Sequence, residues 1–202
     1  MKKAAKPKNI FHILSTHIER PLAFYDIGVG PFPKNEAQQL LRFFPSMKVF
    51  GCEPHPSTFR QREITFPGPL LEVALGEDGF QDLYLAGAQS SIYSFDFSDA
   101  PVARVKSMTL DAFDKQAGGS SRIFLWLDVE GAESKILLSG PDLFASQRVK
   151  WINVEVRTSK FHSAKEKENA EQLPSIMEDF QFKKALSYNN QRCHHDELWV
   201  RK

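Results

Sequence analysis

The chain has 202 residues, room for one α/β domain and little for a second. Its 26 basic side chains stand against 25 acidic ones, so a formal charge of +1 points to no nucleic acid and no membrane surface as partner. Two cysteines far apart, Cys52 and Cys193, argue against a disulfide framework and for a reducing, cytoplasmic setting. No run reaches transmembrane length. The basic opening is not followed by the apolar stretch of a signal peptide, because His12, His17, Glu19 and Arg20 interrupt it. Residues 1–9 read as a disordered basic tail and 10–202 as a single domain.

In chain order, Ile10 to Arg20 reads as a helix with Ile10, Phe11, Leu14 and Ile18 on one side and Asn9 as its cap. Leu22 to Tyr25 gives a short strand ending at Asp26. A glycine turn, Asp26 to Gly30, follows, stiffened by Pro31, Phe32 and Pro33. Asn35 to Phe44 has helical spacing, with Ala37, Leu40, Leu41 and Phe44 on one face and Asn35 as cap. Lys48 to Cys52 is a second strand closed by Glu53, and Pro56 to Arg62 a short helix. Leu70 to Leu75 reads as a third strand, with another extended piece from Asp82 to Leu85. Ala86 to Pro101 has no clean period, and a loop that long in a compact domain is usually functional; Tyr93, Phe95 and Phe97 are candidates for a pocket wall or for plain packing.

Val102 to Met108 is extended again, and Thr109 to Asp114 starts a short helix that Gly118 and Gly119 end. The apolar run Ile123 to Leu127 is a fourth, buried strand. It stops at Asp128, and Glu130 and Glu133 follow around Gly131 before a helix that Gly140 and Pro141 stop. Val149 to Val156 is a fifth strand carrying Asn153 and Glu155. Thr158 to Gln172 is a charged loop or solvated helix. Leu173 to Phe180 is a helix with Pro174 in its first turn, and Phe182 to Tyr188 with Glu197 to Arg201 form a closing hairpin. The pattern is α/β, a mostly parallel sheet with one antiparallel strand at its end.

Two sites emerge. Asp26, Gly28 and Gly30, followed one βαβ unit later by Glu53, have the layout of a nucleoside site, in which an acid ending the second strand accepts hydrogen bonds from ribose. The alternative is a tight turn with no ligand. The third glycine of a dinucleotide fingerprint is missing, as is any phosphate loop, so a nucleoside without phosphates, S-adenosylmethionine, fits better than a nicotinamide dinucleotide. Asp128, Glu130 and Glu155 sit at the ends of strands that should be neighbours. They suit acceptor orientation, general-base work or a hard-oxygen metal site, and no metal is assigned. Glu133, in the first turn of its helix, reads as a dipole partner. Cys193, His194 and His195 lack a second ligand cluster, so a loop or strand-edge role is expected.

The run Thr109 to Phe113, then Leu127 to Glu133, then Ile152 to Glu155 resembles the FkbM-type S-adenosylmethionine-dependent methyltransferases. Asp26 to Gly30, Glu53 with Pro54, Val73 to Gly76 and the ending Glu197 to Arg201 match in order, so the likeness spans about residues 22–202. It implies a Rossmann-like methyltransferase fold, helices on both faces of a seven-stranded sheet whose last strand is antiparallel. It also implies that Asp26, Gly28 and Gly30 flank the methionyl part, Glu53 holds the ribose, Ala74 and Leu75 lie near the adenine, and Asp128 lies where cofactor and acceptor meet. Pro31 and Pro33 depart from the family's first turn and remove two N–H donors. The expected activity is O-methylation of a small molecule or sugar, with Glu130 and Glu155 as catalytic candidates. The alternative is a non-catalytic cofactor-binding protein on the same fold. The sequence leaves the oligomeric state open.

Overall fold

A computed structural model of the protein describes residues 10–31, 36–93, 99, 101–159, 161, 163–189 and 193–202. The expected caps Asn9 and Asn35, the basic tail, and Phe32, Pro33, Phe95 and Phe97 lie outside the described residues.

Helix α1 (Ile10–His17) leads into β1 (Ala23–Ile27), α2 (Glu36–Leu40), β2 (Lys48–Cys52) and α3 (Pro56–Arg62). After β3 (Leu70–Leu71) and β4 (Ala74–Leu75), the pair β5 (Gly79–Tyr84) and β6 (Val102–Met108) precedes α4 (Leu110–Gln116) and β7 (Ile123–Leu127). The chain closes with α5 (Glu133–Leu138), α6 (Pro141–Ala145), β8 (Val149–Arg157), α7 (Ala164–Asp179), β9 (Phe182–Tyr188) and β10 (His194–Arg201).

Seven strands form one sheet in the order β3-β2-β1-β7-β8-β10-β9. β10 runs antiparallel to both of its neighbours, so the antiparallel strand is last in the chain but second from the edge. Every residue of β1 and β7 is buried, as central strands covered on both faces require. Alternation divides their side chains: Tyr25, Ile27, Leu125 and Leu127 join one core with Phe113, Ile136 and Met177. Phe24, Phe124 and Trp126 join a second core with Leu14, Leu40 and Leu198 on the other face. A buried polar chain ties the first core together. The Tyr25 hydroxyl donates to Asp114 Oδ1 at 2.8 Å, and Arg148 pairs with the same carboxylate.

Several boundaries differ from the sequence reading. The first strand runs on through Asp26 to Ile27, so Asp26 is inside the strand rather than after it. The third strand is split: β3 pairs with β2 in the main sheet, whereas β4 pairs with β6 in a separate three-stranded sheet. The first and second helices are shorter than their apolar spacing suggests, ending at His17 and Leu40; Ile18 is still buried just past the first, and a turn follows the second. Pro141 does not merely stop a helix but opens α6 at a first-turn position, where its missing N–H is no loss. The charged stretch and the final helix are one helix, α7, capped by the Ser163 hydroxyl on Glu166 N–H, with Pro174 inside it. Its buried residues Glu166, Asn169, Leu173, Ile176 and Met177 keep one face against the sheet, so burial outweighs charge density and the internal proline.

Asp111 shows how sequence neighbours build the scaffold. Thr109 caps α4 by accepting from Ala112 N–H at 3.2 Å. Asp111 then turns outward and accepts from the first amides of α6, Leu143 at 2.8 Å and Asp142 at 3.1 Å. One short motif thus starts two helices.

Candidate active site

Strand order reverses between β1 and β7, and ligands of open α/β sheets bind outside the carboxyl ends at such a point. A cleft of about 350 Å³ opens there. One half is lined by Gly28, Gly30, Glu53, His55, Ala74 and Leu75, the other by Glu36, Asp128, Glu130, Glu155 and His194.

Glu53 organises the first half. It is buried, and its two oxygens accept backbone N–H groups from Gly30 at 2.9 Å and His55 at 2.8 Å. Burial raises its proton affinity and those two amides oppose the rise. A carboxylate offers about four lone-pair sites, so acceptor capacity remains for ligand hydroxyls. Gly30 has φ +67 and open space where a Cβ would be, as a backbone facing a ligand needs. Gly28 is different: at φ +86 a Cβ there would overlap the Asp128 carbonyl oxygen, so this glycine lets β1 and β7 close on one another. Ala74 and Leu75 are buried against the cleft. Asp26 is not among its lining residues. It lies on the same face of β1 as Phe24, fully buried, and neither oxygen has a hydrogen-bond partner among the described residues. Burial, and then the charges of Glu36 and Glu53, push its carboxyl well up.

The second half is acidic. Oxygens of Asp128, Glu130 and Glu155 lie within 4.8 Å of one another. Such a set suits a hard cation, and bound protons relieve the same repulsion. Burial followed by the Glu155 and Glu130 charges raises Asp128 well above the usual range. The Asp128 side chain is exposed to the cleft, which it lines beside Glu130 and Glu155. Burial and Glu155 lift Glu130 to about 7, against the pull of Arg157, whose Nη2 donates to Glu130 Oε2 at 2.9 Å. Arg157 also pairs through Nε with Glu166 of α7 at 2.6 Å. Glu130 has φ +53, a left-handed backbone for a residue with a Cβ, and the Ser91 hydroxyl donates to its carbonyl at 2.8 Å. The aperiodic loop is thereby fastened to the acidic turn. Of its aromatics, Tyr93 is half-buried and its hydroxyl accepts from Asn169 at 3.4 Å. Glu133 folds back over the turn, accepting from Val129 and Gly131 N–H, both at 3.3 Å.

A family model described as the methyltransferase FkbM domain matches residues 34–184. The chain belongs to the FkbM methyltransferase family. The match takes in Glu53, the acidic turn and Glu155, while the glycine turn and β10 lie outside it. A curated relative, the 2-O-methyltransferase NoeI of Sinorhizobium fredii, is 26% identical over 145 residues, which is 60% of this chain and 59% of the relative. The chain therefore spans less than two thirds of that relative's length.

Among solved structures, a Staphylococcus aureus protein assigned as a caffeoyl-CoA O-methyltransferase superposes with a TM-score of 0.55 at 7% identity, over 98% of this chain and 86% of its own. The ribosomal protein L11 methylase of Lactobacillus delbrueckii subsp. bulgaricus gives 0.51 at 11% identity, over 95% and 77%. At such identities the likeness is one of fold alone, and it is the Rossmann-like methyltransferase fold.

Three cleft residues carried no functional reading in the sequence. Glu36 opens α2 and His55 caps α3, positions where spacing carries no signal. His194, expected at a loop or strand edge, is the first residue of β10 and lines the cleft. Alternation along β10 was the available signal: His194 faces the cleft, and His195 turns to the other face, 2.9 Å from Glu197.

Proposed function

We propose that the protein transfers a methyl group from S-adenosylmethionine to a hydroxyl of a small molecule or sugar. The observation that carries this reading is a single cleft with two unlike halves at the switch point of an FkbM-family fold. In the first half, Glu53 would take the ribose hydroxyls, Gly30 the backbone approach, and Val73, Ala74 and Leu75 the apolar flank of the base. Bound there, S-adenosylmethionine supplies a methyl made electrophilic by its sulfonium charge. In the second half Asp128, Glu130 and Glu155 orient the acceptor, and alignment of the reacting groups is the main contribution expected of such a site. Asp26 acts from within the sheet rather than on the ligand.

The relative's 2-O-methyl name makes methyl glycosides with a free 2-hydroxyl the first acceptors to try. Calorimetric titration with S-adenosylmethionine and S-adenosylhomocysteine tests the cofactor, and release of S-adenosylhomocysteine in the presence of glycosides tests turnover. Glu53→Gln should weaken cofactor binding about 10- to 100-fold, the loss of charge-assisted hydrogen bonds. No binding by the wild-type protein sinks the reading. Binding with no turnover across a broad acceptor panel supports a non-catalytic cofactor binder, for which the missing N–H of Pro31 at the cleft is the specific motive.

A further inference from the structure

We propose that His194 is the base that receives the acceptor's hydroxyl proton and that Glu155 is its positioning partner; this rests on the transfer reaction proposed above. His194 lines the acidic half of the cleft, and its Nε2 lies 3.5 Å from Glu155 Oε1. The sheet sets this pair. β10 lies antiparallel on β8 with His194 opposite Arg157 and Asp196 opposite Glu155, so the imidazole and Glu155 meet diagonally on one face.

The neighbouring carboxylates are engaged with other groups. Glu130 is already bonded to the Arg157 guanidinium, and protonating it would break a buried ion pair. Burial, with the Glu155 and Glu130 charges beside it, raises the proton affinity of Asp128 well above that of an ordinary carboxylate. Asp196, on the same strand, is pushed up to about 6 by burial, with His194 and His195 acting to lower it. The imidazole meets Glu155 from β8 and Asp196 and Cys193 from its own segment, and it shares the cleft with Asp128 and Glu130 from the turn after β7 and Glu36 from α2. Arg157 is spent on Glu130 and Glu166.

A proton on Nε2 faces Glu155 and leaves Nδ1 as the basic atom, with the Cys193 sulfur 3.8 Å away. As the acceptor oxygen forms its bond to the methyl carbon, the electron pair of the breaking carbon–sulfur bond stays on sulfur, which becomes a neutral thioether. The hydroxyl proton passes to Nδ1. Glu155 then faces an imidazolium, the arrangement of a base oriented by a third group, and the proton leaves to cleft water.

Two readouts test this. The first needs no acceptor: long-range ¹H–¹⁵N spectra of ¹⁵N-labelled protein, with and without S-adenosylhomocysteine, in which the His194 signals are those lost in His194→Gln. Neutral His194 should carry its proton on Nε2, and Glu155→Gln should mix the tautomers. A proton on Nδ1, or no change in Glu155→Gln, overturns the proposal. The second readout is turnover of methyl glycosides. His194→Gln should lower kcat roughly 10²- to 10⁴-fold, the usual contribution of a general base, and abolish the acid limb of the pH profile. Its S-adenosylhomocysteine affinity should stay within about threefold of wild type, since the imidazole acts on the acceptor side. Wild-type kcat and pH profile in His194→Gln overturn the base alone, whereas failure of the wild-type protein to bind S-adenosylhomocysteine overturns the transfer reading itself.

Discussion

Glu133 and Glu130 stand six and three residues after strand β7 ends, close enough in sequence to suggest one role, yet their surroundings separate them. Glu133 is buried and raised to about 8, mainly by burial, with hydrogen bonds from the turn holding it down in part. Its carboxyl is therefore neutral in the folded protein at pH values where the unfolded chain has already released the proton. The stabilisation this gives is full below the ordinary value of 4.5 and is lost as pH rises from there through about 8. Glu130 adds a smaller loss of the same sign through about 7. Melting temperature should thus fall between pH 5 and 8. Glu133→Gln keeps an oxygen acceptor for Val129 and Gly131 and cannot ionise, so it should flatten that slope and raise stability at pH 8, on the order of 2–4 kcal/mol by chemical denaturation. A Glu133→Gln protein with the wild-type slope would mean that Glu133 ionises freely. The first-turn position of Glu133 in its helix was legible in sequence. Its burial was not, because what covers it belongs to elements remote in the chain.

At the scale of elements, short motifs act by joining pieces that the sequence separates. Asp111 belongs to α4 but satisfies the first amides of α6, about thirty residues on. Asp111→Ala should leave α4 intact and cost about 1–2 kcal/mol, the typical loss of a helix cap, measured by urea unfolding. Retention of S-adenosylhomocysteine affinity in that variant would separate this structural role from any part in the site. Helix α7 is joined to the acidic turn in a similar way, through Arg157 between Glu130 and Glu166. Apolar runs made β2 and β7 readable to within a residue or so. Apolar pattern failed for α7, where a run of charges and Pro174 hid a continuous buried face. It failed again for β3 and β4, whose apolar run gives no hint that two neighbouring dipeptides join different sheets.

For the molecule as a whole, the cleft is where two sheets and two cores end together, so a ligand there bridges elements from β1 to β10. S-adenosylhomocysteine at a hundred times its dissociation constant should add about 2.7 kcal/mol, a rise in melting temperature of roughly 5–10 °C for a chain of this size. Glu53→Gln should lose most of that rise at the same ligand concentration; an equal rise in both proteins would place the ligand elsewhere. Among the described residues no helix is long and apolar enough to cross a membrane. The sequence alone determined the α/β class, the two acidic strand ends and the family, because strand burial, glycine turns and the Leu127 to Glu133 run are local patterns. Only the tertiary structure decided that Asp26 turns inward, that Gly28 is small for the sake of Asp128, and that His194 reaches Glu155. Each of these depends on which strand lies beside which and on the face a side chain takes. Residue order supplies that information only after β1, β7, β8 and β10 have been brought into register.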